Sequence, residues 1–146
     1  MNPAKPFEAL GQYRATDAYG AAAAADRLQL VLRMMQGAID RIATARGHLQ
    51  RGETAGKGEQ IGRAIGLVDG LRTCLDAEQG QDIATNLEAL YGYMLNRLME
   101  ANLNNDEGAL KEVADLLNEI KSGWETMAAN HRTLYPDPAP AATVEA

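Results

Sequence analysis

Two histidines, one cysteine and a scatter of carboxylates are the residues of this 146-residue chain whose types could do chemistry. A di-iron helical bundle needs Glu-x-x-His pairs facing inward on two helices. His48 and His131 are preceded three positions earlier by Ala45 and Ala128, so neither completes that pair. Cys74 has no histidine near it in sequence, and its neighbours have the pattern of helix packing rather than of an activated thiolate. Asp40, Glu88, Glu100 and Glu112 sit among polar neighbours on otherwise exposed faces, with no pairing that acid–base work would require. No glycine-rich phosphate loop lies between a strand and a helix, because no stretch reads as a strand. Neither an active site, a metal site nor a cofactor is expected, and the chemistry left to this chain is recognition.

Recognition needs apolar side chains that the fold itself does not use. Leu95, Met99 and Leu103 repeat every four residues beside a main helical seam, continuing from Tyr91, and Leu30 and Met34 repeat in the same way upstream. Such stripes either widen the core face or line a groove for a partner's amphipathic segment, where a flexible methionine suits an adaptable surface. Tyr93 can pack its ring on apolar surface while its hydroxyl stays wet. Arg97 and Asn102 have no apolar role and are candidates to hold a helix end and its turn. Gly58, Gly62, Gly66 and Gly70 recur at every fourth position, each at a cost of about 0.5–1 kcal/mol to a helix relative to Ala. Two readings stand: close contact between the protein's own helices, or a shallow channel for a partner.

The elements that position these residues follow from periodicity. A first long helix is expected over 27–48, capped by Asp26 with Gln29 in the capping-box position, its seam Leu28, Val31, Met35, Ala38, Ile42, Ala45 and Leu49. GETAGKG reads as a turn, and a second helix over 58–76 turns Ile61, Ile65, Val68, Leu71 and Leu75 inward. Gly80 marks the next break. A third helix over 82–103 carries Leu87, Leu90, Tyr91, Met94, Leu98 and Ala101 on one face, and Asn104-Asn105 end it. A fourth over 106–130 places Leu110, Val113, Leu117, Ile120, Trp124 and Met127 at alternating spacings of three and four. Short connections make sequential neighbours antiparallel, so the expected fold is all-α, an up-down four-helix bundle. Residues 1–25 form an N-terminal segment, partly helical, that includes Phe7, Leu10, Tyr13 and Tyr19 and is a candidate cover for a partner groove. The bundle occupies 26–130, and 131–146, with three prolines in PDPAP, reads as a flexible tail.

LYxYMxxRLxEAN at 90–102, a short polar turn, and LxEVxxLLxEIKSGW at 110–124 resemble the second half of the flagellar secretion chaperone family, FliS. Upstream, MMQGAIDRIATARGHL and KGEQIGRAIGLVDGLRTCLD are similar to the family's first two long helices, so the resemblance spans about residues 26–127. The ordered set Gly37, Tyr91, Tyr93, Arg97, Ala101, Asn102, Asp106 and Trp124 is its most specific part. Where the family begins its first long helix with Ser-Pro, this chain has Asp26-Arg27, and Asp is an equally good N-cap. The resemblance implies an export chaperone that binds the C-terminal segment of unassembled flagellin, blocks its premature polymerisation and assists delivery to the flagellar export apparatus. The competing expectation is a helical adaptor or regulatory protein that homodimerises through the same grooves. The partner-binding residues expected on either reading are Tyr13, Tyr19, Leu30, Met34, Gly62, Gly66, Gly70, Tyr93, Leu95, Met99 and Leu103.

Composition bounds the rest. The chain is 46% hydrophobic but only 5% aromatic, so Ala, Leu, Ile, Val and Met must build the core of one domain. Net charge is −6, divided as +2 over residues 1–50 and −8 over 51–146. An acidic surface argues against a nucleic-acid partner, which needs clustered cations. A lone cysteine fits a reducing compartment. With no charged leader before an apolar segment and no long apolar run, neither a signal peptide nor a membrane span is expected. The expectation is a cytoplasmic protein, monomeric or weakly dimeric when free.

Overall fold

The computed structural model describes the backbone of residues 6–75 and 81–134, and the side chains of 20, 22–75 and 82–130. Four helices follow in order: α1 (Pro6–Gln50), α2 (Thr54–Thr73), α3 (Gln81–Asn104) and α4 (Glu107–Leu134). α1 packs on α2 and α4, and α3 packs on α2 and α4, a closed square of neighbours without diagonal contact among the described residues. Register follows from cross-helix pairs. Arg41 reaches Gln60 on α2, Lys57 reaches Asn102 on α3, Arg97 reaches Glu112 on α4, and Arg46 reaches Glu107. Every neighbouring pair is antiparallel, as short connections require.

The core is aliphatic. Met35, Ala38, Ile42 and Ala45 of α1 meet Ile61, Ala64 and Val68 of α2, Met94, Leu98 and Ala101 of α3, and Leu110, Val113 and Leu117 of α4. Tyr91 is the one aromatic ring among the buried residues, and burial pushes its hydroxyl up to about 12. Most expected seam positions are buried; Leu28, Leu49, Ile65, Leu75, Leu87, Leu90, Ile120 and Trp124 are half-buried at the margins. Met127 departs from its seam. It is exposed, and Ala128 takes the inward position. At about 100° per residue, Ala128 returns to within about 20° of the direction of Leu117, whereas Met127 falls about 80° away.

The first helix begins much earlier than its capping signal suggests. α1 runs unbroken through Gly20 and the alanine run, so Asp26 lies in a helix interior, exposed, and caps nothing. Alanine is the strongest helix former, and five in succession carry the helix past Asp26 without any buried face, with residues 22–25 all exposed. At 45 residues α1 is about 67 Å long, against about 30 Å for the 20 residues of α2. The Tyr13 and Tyr19 side chains lie outside the described set, as do Phe7 and Leu10. The expected tail starts late: α4 continues to Leu134, and residues 135–146 lie outside the described residues.

The turns are tighter than GETAGKG implied. Gly52 takes a left-handed φ of 72° and the Glu53 N–H bonds back to the His48 carbonyl at 2.8 Å, a Schellman ending to α1. α2 therefore begins at Thr54, four residues ahead of expectation. α3 ends in the same way: Asn105 has φ 54° and the Asp106 N–H reaches the Ala101 carbonyl at 3.1 Å. Asp106 then caps α4, its Oδ1 accepting from the Ala109 N–H at 3.1 Å.

Candidate partner-binding surface

An i+4 row cannot stay on one side of a straight helix. Each residue advances by about 100°, so four residues overshoot a full turn by about 40°. The glycine row of α2 obeys this. A Cβ on Gly58 would meet Asn102 Oδ1 of α3 at 3.8 Å, whereas a Cβ on Gly70 would lie 2.5 Å from Met34 Cε of α1. Between them, Gly62 and Gly66 are exposed, and a Cβ on either would meet nothing within 4 Å. The bundle's helices make no close approach at those two positions. The row is a side-chain-free track crossing the outer face of α2 diagonally, from the α3 side to the α1 side.

Each end of the track meets exposed apolar surface. On α3, Leu103 is 82% and Met99 58% exposed, while Leu95 is half-buried and packs against the core. The approach of Gly58 to Asn102 sets Gly62 level with Leu98, next to Met99. At the other end Met34 is half-buried over Gly70, with Leu30 51% exposed one turn away on α1. Leu30 and Met34 thus lie at the α1 end of the row beside Gly70, and Leu95, Met99 and Leu103 stand on the helix at its α3 end. This side of α1, α2 and α3, with Gly62 and Gly66 open between, is the candidate surface.

Tyr93 is not part of that surface. It lies on the α3–α4 side, where its hydroxyl donates to Glu112 Oε2 at 2.7 Å. Arg97 Nε donates to Glu112 Oε1 at 2.7 Å, and its guanidinium also reaches Glu100 at 2.7 Å. Bonds from Tyr93 and Arg97 hold the Glu112 carboxyl below its usual range, and the same bond to Glu112 raises the Tyr93 hydroxyl. Arg97 therefore clasps α3 to α4 rather than holding the turn.

Sequence reading missed the residue that does hold the turn. Lys57 is buried, and its ammonium donates to the Asn102 carbonyl at 2.9 Å and to the Asn105 side chain. A cation against the last carbonyls of a helix satisfies groups that have no partner within the helix and opposes the negative end of its dipole. Lys57 thereby fixes the α3 end that carries Leu103. A lysine one position before the glycine row was its only signal. Ile83 was missed too; it is exposed at the start of α3.

Among the described residues no group of three His, Cys, Asp or Glu side chains is placed to hold a metal, and no helix is long and apolar enough to cross a membrane. A shallow depression between α1 and α4, lined by Gln29, Leu32, Arg33, Gln36, Glu125 and Ala128, lies away from the glycine track.

The chain as a whole is similar to known proteins. Residues 9–131 match the profile of the family described as Flagellar protein FliS. The chain is 44% identical over 119 residues to the flagellar secretion chaperone FliSB of Pseudomonas aeruginosa, covering 82% of this chain and 94% of that protein. It is 43% identical over 101 residues to the flagellar secretion chaperone FliS of Salmonella typhimurium, 68% of this chain and 75% of the relative. The flagellar secretion chaperone FliS of Vibrio cholerae is 38% identical over 111 residues, 76% of this chain and 82% of its own.

Proposed function

This chain belongs to the FliS family of flagellar proteins, and from that premise we propose that it is a cytoplasmic export chaperone for flagellin. It binds the C-terminal segment of the unassembled subunit, prevents premature polymerisation and assists delivery to the flagellar export apparatus. The relatives' common description as flagellar secretion chaperones supports an export role and a flagellar protein as partner.

One observation carries the reading: Met99, Leu103 and Leu30 stay exposed on a bundle whose core is complete without them. A subunit that polymerises through amphipathic helical ends needs those ends covered until it reaches the filament. An amphipathic segment lying along the glycine track would set its apolar residues against Leu103 and Met99 at one end and Met34 and Leu30 at the other. The absent side chains at Gly62 and Gly66 let its backbone come close to α2. The twelve steps from Gly58 to Gly70 rise about 18 Å, more than three turns of a client helix or about five residues of extended chain. Gross contact along that path has to exceed the cost of ordering the client.

Mass measurement of the purified chain, alone and mixed with flagellin, tests the proposal. A one-to-one complex is expected. A stable homodimer that ignores flagellin would replace the proposal with the homodimerising adaptor.

A further inference from the structure

Methionine sits at very different depths in this fold. Met35 and Met94 are fully enclosed in the core, and Met34 is half-buried over Gly70. Met99 and Met127 present their thioethers to solvent, each 58% exposed. Susceptibility of a thioether to oxidation follows that exposure. The two methionines exposed among the described residues differ in place. Met99 stands between Leu95 and Leu103 on the α3 stripe beside the glycine track, whereas Met127 lies near the end of α4, level with the first turn of α3.

We propose that Met99 is an oxidation site through which a hypohalous acid keeps the free chaperone from binding its client. The inference rests on the reading of the α2–α3 surface given above. With hypochlorous acid the Met99 sulfur forms an S–O bond as the O–Cl bond breaks. Sulfur is oxidised by two electrons, chlorine leaves as chloride, and the proton of the acid passes to water. The product carries a strongly polar S=O group in the middle of an apolar stripe. In the free protein that oxygen is hydrated, so the bundle keeps its stability. Against an apolar client face it loses its water without a partner, and that asymmetry weakens binding rather than folding. Oxidised core methionines would do the opposite, but Met35 and Met94 are shielded.

The test uses the full chain and purified flagellin. The chaperone is treated with limiting hypochlorous acid, the modified residues are located by peptide mass, and affinity is measured by calorimetry beside circular dichroism. Among the described methionines, sulfoxide at Met99 and Met127 is expected first, with the melting temperature retained and flagellin affinity reduced about tenfold or more. Methionine sulfoxide reductase should restore the affinity. Met99→Leu keeps the stripe apolar without a thioether, and treatment should leave whatever affinity this variant has beforehand unchanged. Met127→Leu should remain as sensitive as the parent. Undiminished affinity with Met99 shown to be sulfoxide, or Met99→Leu as sensitive as the parent, overturns the proposal. Untreated Met99→Gln separates the two levels of argument. If it binds flagellin normally, the α2–α3 surface is not the client site. If it binds weakly while sulfoxide at Met99 has no effect, only the oxidation proposal fails.

Discussion

Replacing Gly66 by alanine puts a methyl group into space where no atom lies within 4 Å, on a backbone whose φ is not in the left-handed region. The new side chain meets no steric penalty, and what remains is the glycine's excess backbone entropy. Removing that gains about 0.5–1 kcal/mol in a helix interior. For a bundle of this size the gain is about 2–3 °C in melting temperature. Gly62→Ala has the same surroundings and should match it. Gly58→Ala meets Asn102 at 3.8 Å, an ordinary contact, and should gain nearly as much. Gly70→Ala should not. Its methyl would fall 2.5 Å from Met34 Cε, and turning that thioether aside costs about 0.5–1.5 kcal/mol, enough to cancel the gain. Thermal and urea melts of the four variants, followed by far-ultraviolet circular dichroism, give the order directly. A loss of stability in both Gly62→Ala and Gly66→Ala would mean that the face is packed, and the track across α2 would have to be abandoned. The bulkier Gly66→Leu should fold normally yet weaken flagellin binding about tenfold, by filling the path that the client's backbone takes.

Lys57→Met keeps the side-chain volume but leaves the Asn102 carbonyl without its donor; urea melts should show a loss of about 1–3 kcal/mol. Tyr91 should ionise only near pH 12 in the native protein, followed by phenolate absorbance and removed in Tyr91→Phe. Because its folded pKa is raised, the stability that it contributes is fully present below the ordinary value of 10.0 and is lost as pH rises towards 12. Deleting residues 2–20 should strengthen flagellin binding if the N-terminal segment competes with the client. Unchanged affinity with a large fall in melting temperature would make it a structural cap.

The seams of the four helices were legible because burial imposes a period, and Ile42, Val68, Leu98 and Leu117 declare it. The start of α1 was not. Asp26 has every local property of an N-cap, but the alanine run before it has equal local reason to be helical, and no buried face arbitrates between them. The exposed stripe on α3 was visible as surplus leucine and methionine beside a filled seam. Whether the surplus was core or surface depended on α2, and a period-four pattern carries no information about its neighbour. The glycine row shows the same limit. Its spacing suggested a single face, and only the helical overshoot of about 40° per step turns it into a diagonal joining two helix pairs. Tyr93 and Lys57 exchanged their expected importance for one reason: a polar atom's partner lies on another helix, and the sequence of one helix does not name it.

The central claim is that the apolar surface across α1, α2 and α3 receives flagellin's C-terminal segment. Calorimetric titration of the chaperone with full-length flagellin and with a C-terminally truncated form tests it most directly. The account predicts one-to-one binding of the full-length protein, with a markedly negative heat-capacity change from burying Met99, Leu103 and Leu30 as the client folds. It also predicts no detectable heat with the truncated form. Equal binding of both forms would contradict it.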